Sequence, residues 1–544
     1  MKNKNLILLF FLVLITISNL LLAQDNKLLR VEIEAKSGSD SYKIIPFGKK
    51  GVVLFYESNE INNSNNKKWF FTLYDINFKQ VWSKEFLVSL RRMNFTEFDY
   101  DKDFIYLFFK KSYKNSQKTD FQILKLEVDN GSIKEINGQV KSKVVLTKFK
   151  VIGNTAFIGG RTQPKQIQSC LQICFSITLI PLITGLNIIK YHPALYAINL
   201  LSGNIKEINK RYKGQAYIEN LQADKKRNII NVSIKNYIPR NHNIMHINEY
   251  DPEGNELNSI ILKVMDNKRK LNTGKIVSVS ENEKLIIGTY NNKTKALKAN
   301  PAFVGFNENS TGIYFAKIIN NQQKFINFYN FSEFKTFYNY INQKRAFKIK
   351  KKAKRKELKG KELSFDYQLL VHDIIHKNGQ NIMIAEAYYP EYHTVYYTNY
   401  DYYGRPMTSS YNIFDGYRYT NAIIACFDEN GKLLWDNSFK IWNILTFYLK
   451  ERVKVLFDND DIILTYSSEG KIISKIIKGN EVIQGKKSIK IETLNKNDEV
   501  KRNFSSDIDF WYDNYFITYG YQKIKDKSKG NRRTVFYFNK IAFQ

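Results

Sequence analysis

Apolar residues in this chain come in short bursts that resemble one another. Val52–Tyr56, Phe104–Phe109, Thr155–Ile158, Ile229–Ile234, Lys284–Gly288, Ile382–Ala385 and Ile462–Tyr466 are alternating or continuously apolar over four to six residues. Bursts this short, rich in aromatic and β-branched residues, predict strands rather than helices. After each comes a loop of variable length, a second strand, a tight polar turn and a third strand. The turns align best: Asp75–Lys79, Asp129–Ser132, Leu201–Asn204, Asp251–Asn255, Asn320–Gln323, Asp428–Lys432 and Asn495–Asp498. Asp, Asn and Gly recur in them because hairpin turns need positive φ angles, which these residues tolerate. Units of about 45–75 residues, each a small antiparallel sheet, predict an all-β fold, a single β-propeller.

The ends predict how the ring closes. Phe510–Tyr512, Tyr515–Tyr521 and Thr534–Phe538 supply three strands, and Leu28–Ile33 is an orphan strand near the N-terminus. Pairing the orphan with the last unit removes the free sheet edge. This count favours eight blades. Seven is the alternative, with Gly470–Gly485 as an extra hairpin or a misplaced blade strand.

The stretch Phe427-Asp-Glu-Asn-Gly-Lys-Leu-Leu-Trp435 resembles the Gly-x-x-x-Trp repeats of quinoprotein-like propellers, and Asp75–Trp82 is a looser echo. The other units lack the Trp, so the resemblance implies the propeller class and no quinone cofactor. More broadly, the chain resembles the exported propellers of low-GC Gram-negative bacteria.

Two features set the compartment. Lys2 and Lys4 precede the almost wholly apolar Leu6–Leu22, and the run ends at Ala23-Gln24. A basic start, apolar core and small exit residue predict a signal peptide over residues 1–24, with the propeller over 25–544. No Cys follows the cleavage point to take a lipid. The expected location is the periplasm, or an association with the outer membrane or cell surface. Cys170, Cys174 and Cys426 form no disulfide framework, and a Cys170–Cys174 bridge is left open.

Composition adds a surface property. Apolar residues make up 43% and aromatics 15%, which excludes a disordered chain. The net charge is +32. In an exported protein this points away from nucleic acid, towards anionic lipid heads, lipopolysaccharide phosphates or acidic glycans. Drift towards Lys and Asn in a low-GC genome explains the same excess.

Three insertions break the repeat, and propellers carry function in such segments. Gln166–Ile189 has no charged residue and reads as a hydrophobic protrusion docking on a membrane surface or membrane protein, or as a loop folded over the propeller face. Ser332–Leu363 reads as a helix capped by Ser332, with Phe334, Phe337, Tyr338 and Ile341 at helical spacing. It runs into Lys344–Lys361, with eleven basic residues and one acidic. That suits an anionic surface, or a solvated helix between blades. Tyr388–Tyr419 holds eleven Tyr in thirty-two residues. Tyr388, Tyr389, Tyr392, Tyr396, Tyr397, Tyr400, Tyr402, Tyr403, Tyr417, Arg405 and Arg418 are the candidate binding residues, since tyrosine offers rigid contact area with a polar tip. Self-packing of the rings is the plainer reading.

Catalytic signatures are sparse. There is no Gly-x-Ser-x-Gly, His-Glu-x-x-His, phosphate loop or calcium loop. His242/His246 and His372/His376 are spaced by four, with Glu249 and Asp373 as nominal third ligands; no metal or other cofactor is expected. The leading expectation is a non-enzymatic envelope scaffold or binding module that presents its loops to a membrane protein or envelope glycan. The alternative is a glycan-active hydrolase drawing an acid and a base from Glu386, Glu391, Asp401 and Asp415.

Overall fold

The computed structural model describes residues 29–35, 42–61, 66–89, 93–112, 118–140, 144–162, 192–237, 244–265, 269–292, 309–340, 343–359 and 368–542. Expectations for residues 1–24, for Gln166–Ile189 and for Cys170 and Cys174 lie outside the described residues. The fold is all-β, of the β-propeller class. The described strands form eight antiparallel sheets, which follow one another along the chain.

Sheet 1 spans Lys43–Pro46 to Gln80–Ser89, sheet 2 Asn94–Tyr100 to Ile133–Val140, and sheet 3 Val144–Ile152 to Ile205–Ile208. Sheet 4 spans Gln215–Asp224 to Glu256–Leu262, and sheet 5 Arg269–Leu271 to Gln322–Asn330. Sheet 6 runs from Gln368–Val371 to Leu433–Lys440, and sheet 7 from Lys454–Asp458 to Glu481–Lys490. Sheet 8 takes Asp498–Tyr512, Tyr515–Asp526 and Arg532–Ala542, and Arg30–Glu34 pairs with the last of these, Val31 opposite Phe538. The first strand of sheet 8 is far longer than the Phe510–Tyr512 expected, because residues 498–509 are mostly charged or polar and dilute its apolar signal.

The core lies between sheets, not within them. Each hydrophobic cluster joins consecutive sheets, as Phe55 and Phe71 of sheet 1 join Leu107 and Phe109 of sheet 2. One cluster packs Trp511, Ile517 and Phe536 of sheet 8 on Ile44, Val52 and Leu54 of sheet 1. Sheets covered on both sides must be apolar on both sides, which explains the continuous apolar bursts. The two resemblance tryptophans serve these seams. Trp82 donates its Nε1–H to Val128 O at 2.9 Å and stacks where a Cβ on Gly131 would sit 3.0 Å away. Gly131 also has φ 71°, so glycine is required there by both space and backbone. Trp435 lies against Gly479 in the corresponding turn of sheet 7.

Two sequence-based boundaries are corrected. Lys471–Lys478 and Glu481–Lys490 are the third and fourth strands of sheet 7, so their turn is at Gly479 (φ 58°). Asn495–Asp498, expected as that hairpin turn, is the connection into sheet 8. Polar composition alone does not separate the two, because both places need exposed backbone.

Antiparallel alternation sorts the connections onto two faces. Turns between first and second and between third and fourth strands emerge on one face, and those of Asp75–Lys79 and Asp428–Lys432 are short. Loops between second and third strands, and the links between sheets, emerge on the other. That second face carries the Tyr-rich segment, the basic segment, and the strand ends Thr162 and Pro193 that flank residues 163–191.

Candidate functional site: an aromatic ribbon and a charged inner wall

The Tyr-rich segment is a hairpin rather than a loop. Gln380–Tyr400 and Pro406–Phe427 pair continuously from Asn381–Phe427 to Tyr400–Pro406. Their inner halves belong to sheet 6, and their outer halves project from the second face as a two-stranded ribbon. The transition has a bulge: pairing jumps from Glu391–Gly416 to Tyr392–Phe414 and leaves Asp415 over. Gly416 (φ 137°) permits it, since a Cβ there would meet Thr446 O at 2.9 Å.

The register divides the ribbon into two faces. Tyr392, Tyr396 and Tyr400 share one with Thr394, Thr398, Thr408, Ser410, Asn412 and Phe414. Val395, Tyr397, Met407, Tyr411 and Ile413 share the other with His393, Asn399 and Ser409. Tyr397 packs on Tyr411 with centroids 5.8 Å apart, and Tyr392 on Phe414 at 5.5 Å. Most of the ring surface remains in solvent: Tyr396 is 71% exposed, Tyr400 72% and Tyr402, at the tip, 97%. Tyr389 and Tyr403 are also exposed. Phe447 and Tyr448, in the link after sheet 6, extend this surface at its base, with Phe447 6.3 Å from Phe414.

Not every predicted binding residue is available. Tyr388 and Tyr419 are buried in the seam between sheets 6 and 7, and Tyr417 is half-buried against Tyr388 and Phe414. Arg418 makes a bidentate pair with Glu391, Nε at 2.5 Å and Nη2 at 3.0 Å, and this holds the Glu391 carboxyl below its ordinary pKa. Arg405 closes the tip turn, its N–H donating to Asp401 Oδ1 at 2.8 Å and its guanidinium 5.8 Å from the Tyr403 ring.

The four carboxylates proposed as an acid–base pool are each engaged by other groups. Glu386 is buried, and its Oε1 lies 2.8 Å from His372 Nε2 and accepts from the backbone N–H groups of Arg452 and Val453. Glu391 is held by Arg418. Asp401 accepts from two turn amides, and Asp415 Oδ1 lies 2.6 Å from His393 Nδ1. Of the histidines, His372 faces Glu386 and His376 Nδ1 lies 2.8 Å from Asn381 Oδ1, while His242 is outside the described residues. Glu249 is paired with Lys284 and Arg227, and Asp373 with Lys275. Among the described residues, no group of three His, Cys, Asp or Glu side chains is placed to hold a metal ion. Nor is any helix long and apolar enough to cross a membrane.

The basic segment differs from its prediction. Asn330, not Ser332, is the cap: its side-chain Oδ1 accepts from Ser332 N–H, and Glu333 Oε1 accepts from Asn330 N–H, both at 2.8 Å. It caps only a 3-10 turn, Phe331–Glu333, and Phe334 is extended. The chain continues through a second 3-10 turn, Phe337–Tyr340, along the seam of sheets 5 and 6, where Phe331, Phe334, Phe337 and Tyr338 are all buried. Asp436 pins this run by accepting from the N–H groups of Lys335 and Thr336. The α-helix begins only at Gln343 and runs to Glu357, with Ala346, Ile349 and Ala353 against the same seam.

Sequence reasoning missed the ring's interior. The first strands of several sheets carry charges at i and i+2: Glu97 and Asp99 on sheet 2, Lys148 and Lys150 on sheet 3, and Asp507 and Asp509 on sheet 8. Lys450, Arg452 and Lys454 continue the pattern into sheet 7. Neighbours have opposite sign. Lys150 meets Asp99 at 3.1 Å, Lys450 and Arg452 meet Asp507 at 2.6 and 3.1 Å, and Lys454 meets Asp509 at 2.8 Å. These first strands therefore come together from consecutive sheets and form an inner wall of alternating charge. Burial works to raise the Asp507 carboxyl, but Lys450 and Arg452 hold it down at about 2. Burial pushes the Glu97 carboxyl up to about 7, against the pull of Lys148 and Lys150. The alternating charges were a readable signal, scattered over more than four hundred residues.

No family model matches the chain, and no curated protein sequence matches it. Among solved structures it is similar to the polysaccharide lyase Uly1, at 8% identity over 82% of this chain and 89% of that one, with a TM-score of 0.37. It is also similar to the β-propeller domain of the Trilobed protease from Pyrococcus furiosus, at 7% identity over 83% and 95%, with a TM-score of 0.32. An apocarotenoid oxygenase from Synechocystis matches at 10% identity over 52% and 60%, with a TM-score of 0.29. Likenesses this remote carry no argument about what the chain does.

Proposed function

We propose that this chain is a non-enzymatic binding module of the cell envelope that holds a protein partner on its aromatic ribbon. The observation that carries the reading is the ribbon itself. A two-stranded hairpin is marginally stable alone in water, yet this one projects with both faces open. One face alternates Tyr with Ser, Thr and Asn, the residues that recognition loops use for rigid contact area and adaptable hydrogen bonds. Export, and with it an envelope location, rests on the N-terminal sequence pattern.

The test is purification of the tagged protein from its native envelope in mild detergent, beside Tyr396→Ser/Tyr400→Ser. A stoichiometric partner that the double variant loses, with unchanged circular dichroism, supports the reading. A soluble monomer, or equal recovery of the partner with both forms, rejects it. If the captured species is a glycan, the ribbon binds but the partner class is wrong. The glycan-hydrolase reading has less support, because each of its four carboxylates already has a structural role. Turnover of an envelope glycan that Glu391→Gln or Asp415→Asn abolishes would restore it.

A further inference from the structure

A second surface on the same face stands independently of the ribbon. The Gln343–Glu357 helix turns Ala346, Ile349 and Ala353 to the sheet 5–6 seam. At 100° per residue, the opposite stripe is Lys344, Phe347, Lys348, Lys351, Arg355 and Leu358. Leu358 continues the last turn through its N–H to Lys354 O at 3.1 Å. The stripe is open: Phe347 is 68% exposed and Leu358 80%. None of its cations forms an ion pair with a described carboxylate, whereas the inner-wall cations Lys150, Lys450, Arg452 and Lys454 all do. Four cations face outward in register, with an apolar side chain near each end.

We propose that this outward stripe is a docking site for an anionic phospholipid bilayer. Charge complementarity calls for an anionic occupant. The apolar pair selects a bilayer over a soluble polyanion, since Phe347 and Leu358 gain by leaving water only where hydrocarbon lies beneath the phosphates. The helix lies along the surface, and its seam face holds it to the propeller. Docking therefore places the ribbon, on the same face, next to membrane-associated proteins.

The experiment is co-sedimentation of the mature protein with vesicles of phosphatidylcholine, with and without about one-third phosphatidylglycerol. Binding is expected only to the anionic vesicles and is expected to weaken with salt. Each basic residue at such a surface contributes roughly fivefold, so Lys348→Glu/Lys351→Glu/Arg355→Glu should weaken partitioning by about 100-fold or more. Phe347→Ser/Leu358→Ser keeps every charge and should weaken it about tenfold. All five side chains point outward, so both variants should melt with the wild type. Phe347→Trp supplies a direct reading, a blue shift of emission with anionic vesicles and none with neutral ones. Absence of binding to anionic vesicles overturns the proposal. So does binding that soluble polyphosphate fully displaces and that Phe347→Ser/Leu358→Ser leaves unchanged, which would identify a polyanion site instead.

Discussion

The strands Gln380–Tyr400 and Pro406–Phe427 each live in two environments. In their inner halves, alternate residues enter different cores. Met383, Ala385, Ile423 and Ala425 face sheet 5, while Ile382, Ile384, Ala422 and Ile424 face sheet 7. Both sides are covered, so the sequence there is continuously apolar. Beyond Glu391 and Gly416 the neighbours are gone, and the same ladder carries Tyr, Thr, Ser and Asn. Hydrogen-bonded pairing is unbroken except at the bulges. The difference is therefore in what lies above and below the strands, and it separates a half that supports the ring from a half free to contact something else.

The largest test is Ile424→Ala in the inner half. Ile424 is fully buried, so the variant should lose about 3 kcal/mol by chemical denaturation. A loss below about 1 kcal/mol would erase the distinction between the halves. Glu386→Gln, at the outer limit of the buried half, should cost about 2 kcal/mol, because a neutral amide replaces a buried carboxylate that accepts two backbone N–H groups.

A pH scan gives a smaller effect, located in the ring rather than the ribbon. Glu97 is pushed up to about 7 from an ordinary value of 4.5. Between those values the folded chain holds a proton that the unfolded chain lacks, so stability falls as pH rises through this window and levels off above it. Glu97→Gln should flatten that slope, seen as a smaller difference in Tm between pH 5 and pH 7.5. After allowance for solvent screening, the change is about 1 kcal/mol. An unchanged slope would place the titrating group elsewhere. The smallest effect belongs to the outer half. Tyr396→Ser should alter stability by less than about 0.5 kcal/mol, because its ring is mostly in solvent. A large loss there would mean that the ribbon's rings brace one another, as the self-packing reading requires.

Much of the fold was legible, and particular residues show why. The second-strand bursts Val52–Tyr56 through Ile462–Tyr466 lie in strands, because burial on both faces leaves a run that is mostly apolar on both sides. Most turns were legible through the positive-φ residues they need, Gly131, Gly203, Gly254 and Gly431 among them. Asn495–Asp498 was misread because a link between sheets needs the same polar backbone as a hairpin turn. The candidate site was legible in composition but not in shape. Eleven tyrosines stand out in any reading of the chain, yet their division into buried Tyr388 and Tyr419 and exposed Tyr396 and Tyr400 depends on where sheet 6 ends. The Ser332 cap failed for a related reason: the aromatic spacing that suggested an α-helix served short 3-10 turns along a seam.

By itself the sequence determined what acts over short range: strand period, turn chemistry, the cationic run and the tyrosine cluster. Each depends on the φ preferences and polarity of residues a few positions apart. Tertiary structure decided what meets across the ring. It set Asp507 against Lys450 and Arg452, placed Glu97 beside Lys148 and Lys150, and committed Glu391 to Arg418. It also turned Phe347 and Leu358 outward while burying Phe331, Phe334 and Phe337. These outcomes depend on which surfaces the packed sheets cover, and coverage is a property of the packed arrangement that no local stretch of chain contains.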